Sequence, residues 1–292
     1  MSGPTASGKS KLATQLASKF NGELISADSI KVYKGLDIGS NKTGLLEAVK
    51  NNHVPLHMVD IVDINTSFSM GQYANMARQL TTEIVSRGKL PILFGGTGFY
   101  LNGYILGTPL TPKRDDQLVK QLKKELSEDN SWEKSLQRLA VLDPEEALHI
   151  DKNCKNNYTR LIRALEICLL TGQTKSSFST SQNRLPYDIR TLCILSDRWS
   201  LYQKIDLRCE EMLSKGLLEE SYRVLKANPH LLPDPSAPQS PVATAIGYKQ
   251  AFEYISQTPQ YNQHNFSNFV VQFQNVSRQF ARKQYMWLRN NY

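Results

Sequence analysis

Cysteine is scarce in this chain. Four occur among 292 residues, Cys154, Cys168, Cys193 and Cys209, and no two of them form a C-x-x-C pair. Their scatter excludes a disulfide scaffold and predicts reduced thiols in a reducing compartment. The five histidines are equally dispersed, so a structural zinc site is not expected. No apolar run approaches the ~18 residues of a membrane helix, and no membrane partner is expected. No secretory signal is visible, because Met1 leads directly into a glycine-bearing loop. Internal repeats and low-complexity tracts are also lacking. Acidic residues are the minority charge, 27 against 35 lysines and arginines, which leaves a net charge of +8. That balance suits a polyanionic partner without demanding one. The length allows one large domain or two modest ones, with a sizeable core.

What is present begins at once. In MSGPTASGKS, Gly3, Gly8, Lys9 and Ser10 fill the pattern G-x-x-x-x-G-K-[ST]. Glycines let the backbone fold back so that several N–H groups point into one hollow. A helix starting near Lys9 would face that hollow with its positive end. The candidate diphosphate-binding residues are therefore Gly3, Thr5, Ala6, Ser7, Gly8, Lys9 and Ser10. Ser10 is also the candidate ligand for Mg²⁺. A Gly/Ser-rich tail is the bland alternative, and the helical spacing of Leu12, Ala13, Leu16, Ala17 and Phe20 argues against it. A phosphate loop normally hangs off a buried apolar strand, yet only Met1 and Ser2 precede Gly3. The expectation is that these two residues cannot fill a strand position, and that the natural protein begins further upstream.

Glu23 to Ser29 reads as a short strand, which places Asp28 just past its carboxyl end, where open α/β sheets hold ligands. Position alone leaves a turn or cap role for Asp28 equally open. His57 to Asp63 is a further short strand candidate. Met70 to Arg87 reads as a helix closed by Gly88, and Leu90 to Gly95 as a strand running into Gly-Gly-Thr-Gly98. Those glycines predict close approach of backbone to ligand, with the Thr97 hydroxyl beside it. Strands alternating with helices predict a parallel, doubly wound sheet. From about Pro112 the pattern becomes all-helical, over 116–126, 132–142, 143–150 and 158–170. Arg160 and Arg163 lie on one face of the last of these helices, where a solvated basic face is the default reading. Residues 190–196 return to strand, and a helix is predicted over 200–226, with Arg208 inside it. Five prolines within residues 229–241 exclude helix and central strand there. A final helix over 265–289 has Phe269, Phe273, Val276, Phe280 and Trp287 as its expected buried stripe, and Arg278 and Arg282 among its charges. The resulting division is 1–111, 112–188 and 189–292: core, helical insertion, core.

GPTASGKS (3–10), ISADS (25–29), VYKGLDIGSNK (32–42), GGTGFYL (95–101), LDPEEALHID (142–151), RLIRALEI (160–167), AIGYKQ (245–250) and RQFARKQYMWLR (278–289), in this order, resemble the tRNA dimethylallyltransferases, also called tRNA isopentenyltransferases. The resemblance spans nearly the whole chain. It implies an α/β fold with a P-loop NTPase-like parallel sheet and an inserted all-helical domain. It also implies transfer of a dimethylallyl group from dimethylallyl diphosphate to the N6 amine of an adenosine next to the anticodon of tRNA, with Mg²⁺. By resemblance Asp28 is the catalytic acceptor of the amine proton, Thr97 lies near the reacting centre, and Arg208 binds the diphosphate. Segments 28–31, 159–163 and 244–249 match tRNA-contacting segments. Asp28, Ser29, Ile30, Lys31, Thr159, Arg160, Leu161, Ile162, Arg163, Gly247, Tyr248 and Lys249 are thereby candidate tRNA contacts, with Arg278 and Arg282 on the last helix. A monomer in the cytoplasm or mitochondrion is expected.

The chain departs from the family pattern at several points. Lys31 stands where members commonly have Gln, and Lys carries no acceptor. Thr244 and Lys249 stand where many members have Arg, and the zinc-finger extension of many eukaryotic members is absent. Competing readings are a prenyltransferase of free adenine nucleotides, a non-catalytic RNA-binding protein, and a small-molecule kinase using Asp60 or Asp63 as the Mg²⁺ carboxylate.

Overall fold

The computed structural model describes residues 1–128, 132–178, 185–232, 240–257 and 262–291. In chain order the elements are α1 (Lys9–Lys19), β1 (Gly22–Ala27), α2 (Thr43–Asn51), β2 (Leu56–His57), α3 (Met70–Ser86), β3 (Leu90–Gly95) and α4 (Gly98–Leu106), then α5 (Asp116–Glu128), α6 (Trp132–Leu142), α7 (Pro144–Asn153) and α8 (Tyr158–Thr171), then α9 (Arg198–Ser214), α10 (Leu217–Ala227), α11 (Tyr248–Ser256) and α12 (Gln263–Asn291). The described residues form two compact units: 1–105 with 185–232 and 240–291, and 106–178.

The larger unit is built on a parallel sheet of order β2-β1-β3. All six residues of β1 are buried, as a strand covered by helices on both faces requires. Its alternate residues serve the two faces: Leu24 packs with Ala13 and Ala17 of α1, while Ile25 and Ala27 pack in the core that includes Tyr73 and Ala77 of α3. Glu23 is the charged exception. Burial alone would raise its pKa, but hydrogen bonds from His57, Lys89 and Arg87 outweigh it and hold the carboxyl at about 2. A carboxylate depressed in the folded state stabilises it above the ordinary value near 4.5 and loses that contribution as pH falls from there toward 2. The stability advantage of the wild type over Glu23→Gln is therefore expected to shrink steadily across that window in urea titrations. An advantage constant from pH 5 to pH 2 would show that the carboxylate has no such role.

Met1 and Ser2 do take a strand position. Gly95 N donates to Met1 O at 3.2 Å, Ser2 N donates to Leu192 O at 2.8 Å, and Ile194 N donates to Ser2 O at 2.8 Å. The two residues thus bridge β3 to the 192–194 segment at the loop end, where a gap was expected. The extended stretch at 190–196 is accordingly a single bridge at Cys193 rather than a strand, because its partner contributes so few residues.

Three helical expectations also change. The helix expected over 200–226 is two helices, α9 and α10, because Gly216 adopts φ 97° and turns the chain. On α12 the buried stripe is Phe269, Phe273, Ser277, Ala281 and Leu288, while Phe280 is 38% exposed and lines the cavity described below. On α1 only the small residues Ala13, Thr14 and Ala17 are buried, and Leu12 and Phe20 face outward, because the helix lies close on the sheet. The 3₁₀ turn Pro229–Leu231 opens the proline-rich loop, and residues 233–239 of that loop lie outside the described residues.

The smaller unit is all-helical. Leu139, Ile150, Leu161 and Leu165 form its centre. Asp143 caps α7, its Oδ1 accepting from Glu146 N at 3.1 Å and its Oδ2 from Lys175 N at 2.8 Å.

Candidate active site

The phosphate loop is shaped by its own residues and closed by distant ones. Gly8 caps α1 with φ 87°, and Ala6 also sits in the left-handed region at φ 59°. A Cβ on Gly3 would meet Ile194 O at 2.6 Å, so the loop entrance tolerates only glycine. At the carboxyl ends of β1 and β3 a cavity of about 370 Å³ opens, lined by Thr5, Lys9, Ser10, Asp28, Thr97 and Arg208 among others. Of the sequence-predicted diphosphate residues Thr5, Lys9 and Ser10 line it, as do all three predicted catalytic residues, while Gly3, Ala6, Ser7 and Gly8 shape the loop without lining it.

Asp28 has the turn role that its position left open, and it also lines the cavity. Its Oδ1 accepts from Ile30 N at 2.9 Å and Lys31 N at 3.2 Å, which shapes the turn after β1. Its Oδ2 has no hydrogen-bond partner among the described residues, so one oxygen of the carboxylate is unengaged. Thr97 fixes the same turn, its Oγ1 accepting from Ser29 N at 3.0 Å while its own N–H donates to Ala27 O at 3.2 Å. Arg208 donates to Thr5 Oγ1 at 3.2 Å, tying α9 to the loop.

Three cations face this one carboxylate. Lys9 is held at about pKa 8 by burial and by Arg208, against the pull of Asp28. Lys31 is likewise held at about 8, by burial first, with Asp28 raising it and Arg208 and Lys42 lowering it. Arg208 is lowered by burial. Such crowding of positive charge in a cavity is costly without an anion and favourable with one. The Lys31 ammonium is satisfied by the carbonyls of Ser40 and Asn41, so the departure from Gln leaves a donor, not a void.

Residues missed in the sequence hold these groups in place. Glu220 of α10 accepts from the N–H groups of Asp37, Ile38 and Gly39 and from the Tyr248 hydroxyl at 2.6 Å, fixing the loop whose next carbonyls hold Lys31. Lys42, fully buried, pairs with Asp37 and Asp60. Asp60 is thus engaged, and Asp63 pairs with exposed Lys34 at 3.1 Å, so neither lines the cavity as a kinase reading requires. Gln284 of α12 accepts from Thr5 N at 2.8 Å and donates to Gly96 O at 3.0 Å. The Gly-Gly-Thr-Gly turn, whose Gly95, Gly96 and Thr97 line the cavity, is also packed tightly against the protein itself. A Cβ on Gly95 would meet Ala27 O at 2.1 Å, on Gly96 the Gln284 amide at 2.3 Å, and on Gly98 the Trp287 ring at 2.4 Å. The glycines thus admit the protein's own strand and helix, and Gly95 and Gly96 border the cavity as well. Gln284 lies inside the quoted RQFARKQYMWLR motif, which was its only signal, whereas Glu220 had none.

The candidate RNA contacts divide. Ser29, Ile30 and Lys31 line the cavity with Asp28. Leu161 and Ile162 are buried in the helical unit's core and Tyr248 is buried against Glu220, so these three side chains are not surface contacts. Gly247 is buried as the cap of α11, and Lys249 lies 3.8 Å from Glu253. Arg163 is spent on Glu166, Thr111 Oγ1 and Pro112 O, and Arg278 on both oxygens of Asp206. Arg160 donates to Cys154 Sγ at 2.8 Å. Thr159 and Arg282 are exposed, and Arg282 has no ion-pair partner among the described residues.

A parallel sheet with a phosphate-cradling loop leading into its first helix, and a charged cavity at the strands' carboxyl ends, defines the P-loop NTPase-like class. Residues 31–291 match the family described as IPP transferase, and the chain belongs to that family. It is 34% identical to tRNA dimethylallyltransferase 9 of Arabidopsis thaliana, over 99% of this chain and 68% of that protein. It is 36% identical to the tRNA dimethylallyltransferase of Protochlamydia amoebophila, over 99% of this chain and 80% of that protein. Among solved structures, the full-length tRNA isopentenylpyrophosphate transferase of Bacillus halodurans is similar at TM-score 0.65 and 32% identity, over 99% of this chain and 86% of that one. A eukaryotic dimethylallyltransferase captured acting on tRNA is similar at TM-score 0.73 and 28% identity, over 98% and 68%.

Proposed function

We propose that the chain transfers the dimethylallyl group of dimethylallyl diphosphate to the N6 amine of an adenosine beside the anticodon of tRNA. The observation that carries this reading is the free oxygen of Asp28 in the same cavity as Lys9 and Arg208. As the N6–C bond forms and the allylic C–O bond breaks, the bonding electrons leave with the diphosphate. Lys9, Arg208 and the loop amides lie where that charge grows. An exocyclic amine is a weak nucleophile, because its lone pair is delocalised into the ring. Asp28 Oδ2 accepts its proton as the new bond forms, while the turn hydrogen bonds keep Oδ1 in place. Ile205, Met212 and Phe273 supply the apolar wall that an allyl chain needs.

Ser10 and Asp28 give the cavity hard oxygen donors beside a cationic cradle, which suits Mg²⁺ sharing its coordination with substrate phosphates. Ser10 is the residue that would hold it, and the ion would add Lewis-acid stabilisation of the leaving group. The acceptor base must leave its stack to reach a cavity that also holds the diphosphate. Exposed Arg282 on α12 is the phosphate contact retained from the sequence reading. The test is incubation with labelled dimethylallyl diphosphate, Mg²⁺ and, in parallel, tRNA, AMP or no acceptor. Label is expected in tRNA. Label in AMP alone would make the chain a nucleotide prenyltransferase, and label in neither would overturn the reading.

A further inference from the structure

Four buried side-chain polar atoms have no hydrogen-bond partner among the described residues: Ser7 Oγ, Ser26 Oγ, Trp132 Nε1 and Ser221 Oγ. Ser7 belongs to the phosphate loop itself. Ser26 stands at the carboxyl end of β1, is 1% exposed, and lines the cavity together with Lys9 and Ser10. Its carbonyl is used by the Tyr73 hydroxyl at 3.0 Å, but its own hydroxyl is not used. Strand alternation puts Ser26 on the same face as Leu24, which packs against α1, the helix that the phosphate loop begins. An unpaired buried hydroxyl is unfavourable, and alanine would fill nearly the same space without that cost. Buried polar groups are almost always satisfied, and an exception at a binding cavity points to an absent partner.

We propose that Ser26 is a ligand-contacting residue, whose hydroxyl donates a hydrogen bond to an oxygen of the diphosphate group seated on the loop. This rests on the diphosphate reading of the cavity. Ser26 would then join Lys9 and Arg208 in holding the leaving group, from the β1 side of the cradle.

The experiment compares wild type, Ser26→Ala and Ser26→Cys by melting temperature without ligand and by calorimetric titration with inorganic diphosphate, each with and without Mg²⁺. The alanine protein is expected to melt no lower than wild type without ligand, and to bind diphosphate about tenfold more weakly with or without Mg²⁺. Cysteine, a weak donor of similar size, is expected to behave like alanine. A lower melting temperature with unchanged diphosphate affinity would make the hydroxyl structural and overturn the inference. A loss seen only with Mg²⁺ would overturn direct contact in favour of metal-bound water. Equal affinity in all three proteins would overturn the Ser26 role alone. Failure of wild type to bind diphosphate would overturn the cavity reading and the inference together.

Discussion

Asp28→Asn is expected to leave tRNA binding intact and to slow prenyl transfer by about 10²–10⁴-fold, the usual contribution of a positioned proton acceptor. The substitution is close to isosteric. An amide oxygen can still accept from Ile30 N and Lys31 N, so the turn that carries Ser29 to Lys31 should keep its shape. What changes is the other atom. Where Oδ2 faces the cavity without a partner, asparagine presents an NH₂ group that donates and has almost no basicity. The amine proton then has no acceptor as the N–C bond forms. Removing the one carboxylate among Lys9, Lys31 and Arg208 also leaves the cavity more positive, so diphosphate binding should not weaken. Single-turnover transfer with labelled dimethylallyl diphosphate, together with filter retention of tRNA, separates these effects. A variant keeping more than about a tenth of the wild-type rate would show that the proton leaves by another route.

The second large effect is expected from a residue that touches no substrate. Glu220→Ala should destabilise the larger unit by about 3–5 kcal/mol, measured by urea unfolding. Glu220 is a buried carboxylate that receives the N–H groups of Asp37 at 2.8 Å, Ile38 at 2.9 Å and Gly39 at 3.1 Å, and the Tyr248 hydroxyl at 2.6 Å. Burial, and then the Glu220 charge, push the Tyr248 phenol well above its ordinary value, so it remains a donor at every working pH. Alanine strips all four donors of their acceptor at once. Each orphaned group costs roughly 1–3 kcal/mol, and relaxation of the loop toward water makes the total less than the sum. Gly39, Ser40 and Asn41 line the cavity, so transfer activity should fall with stability. Glu220→Gln, which keeps one acceptor oxygen, should lose less. A loss below about 1 kcal/mol for alanine would mean that the loop's N–H groups find other partners.

The parts of this site legible in the sequence are those set by neighbouring residues. Gly3, Gly8, Lys9 and Ser10 announce a phosphate loop because a left-handed glycine and a helix start are properties of adjacent positions. The 23–29 stretch reads as a strand because its apolar β-formers give way to polar residues, and the structure ends that strand at Ala27, just before Asp28; the four helices of the smaller unit read from their periodicity and caps. The helix break at Gly216 was less legible, since a single glycine inside an apolar pattern can be tolerated.

What the sequence by itself determined, then, was the class of protein and the phosphate-loop motif, and through the resemblance it named Asp28, Thr97 and Arg208 as the candidates for the chemistry. The tertiary structure alone decided which charged and polar groups were already committed. On helical spacing Arg163 and Arg278 looked like free surface charges, yet they are held by the 111–112 segment with Glu166, and by Asp206, 72 positions away. Gln284 reaches Thr5 across 279 positions and Gly96 across 188, and Glu220 reaches the 37–39 loop across more than 180. The physical reason is that a hydrogen bond depends on distance in space, while motif and periodicity report only distance along the chain.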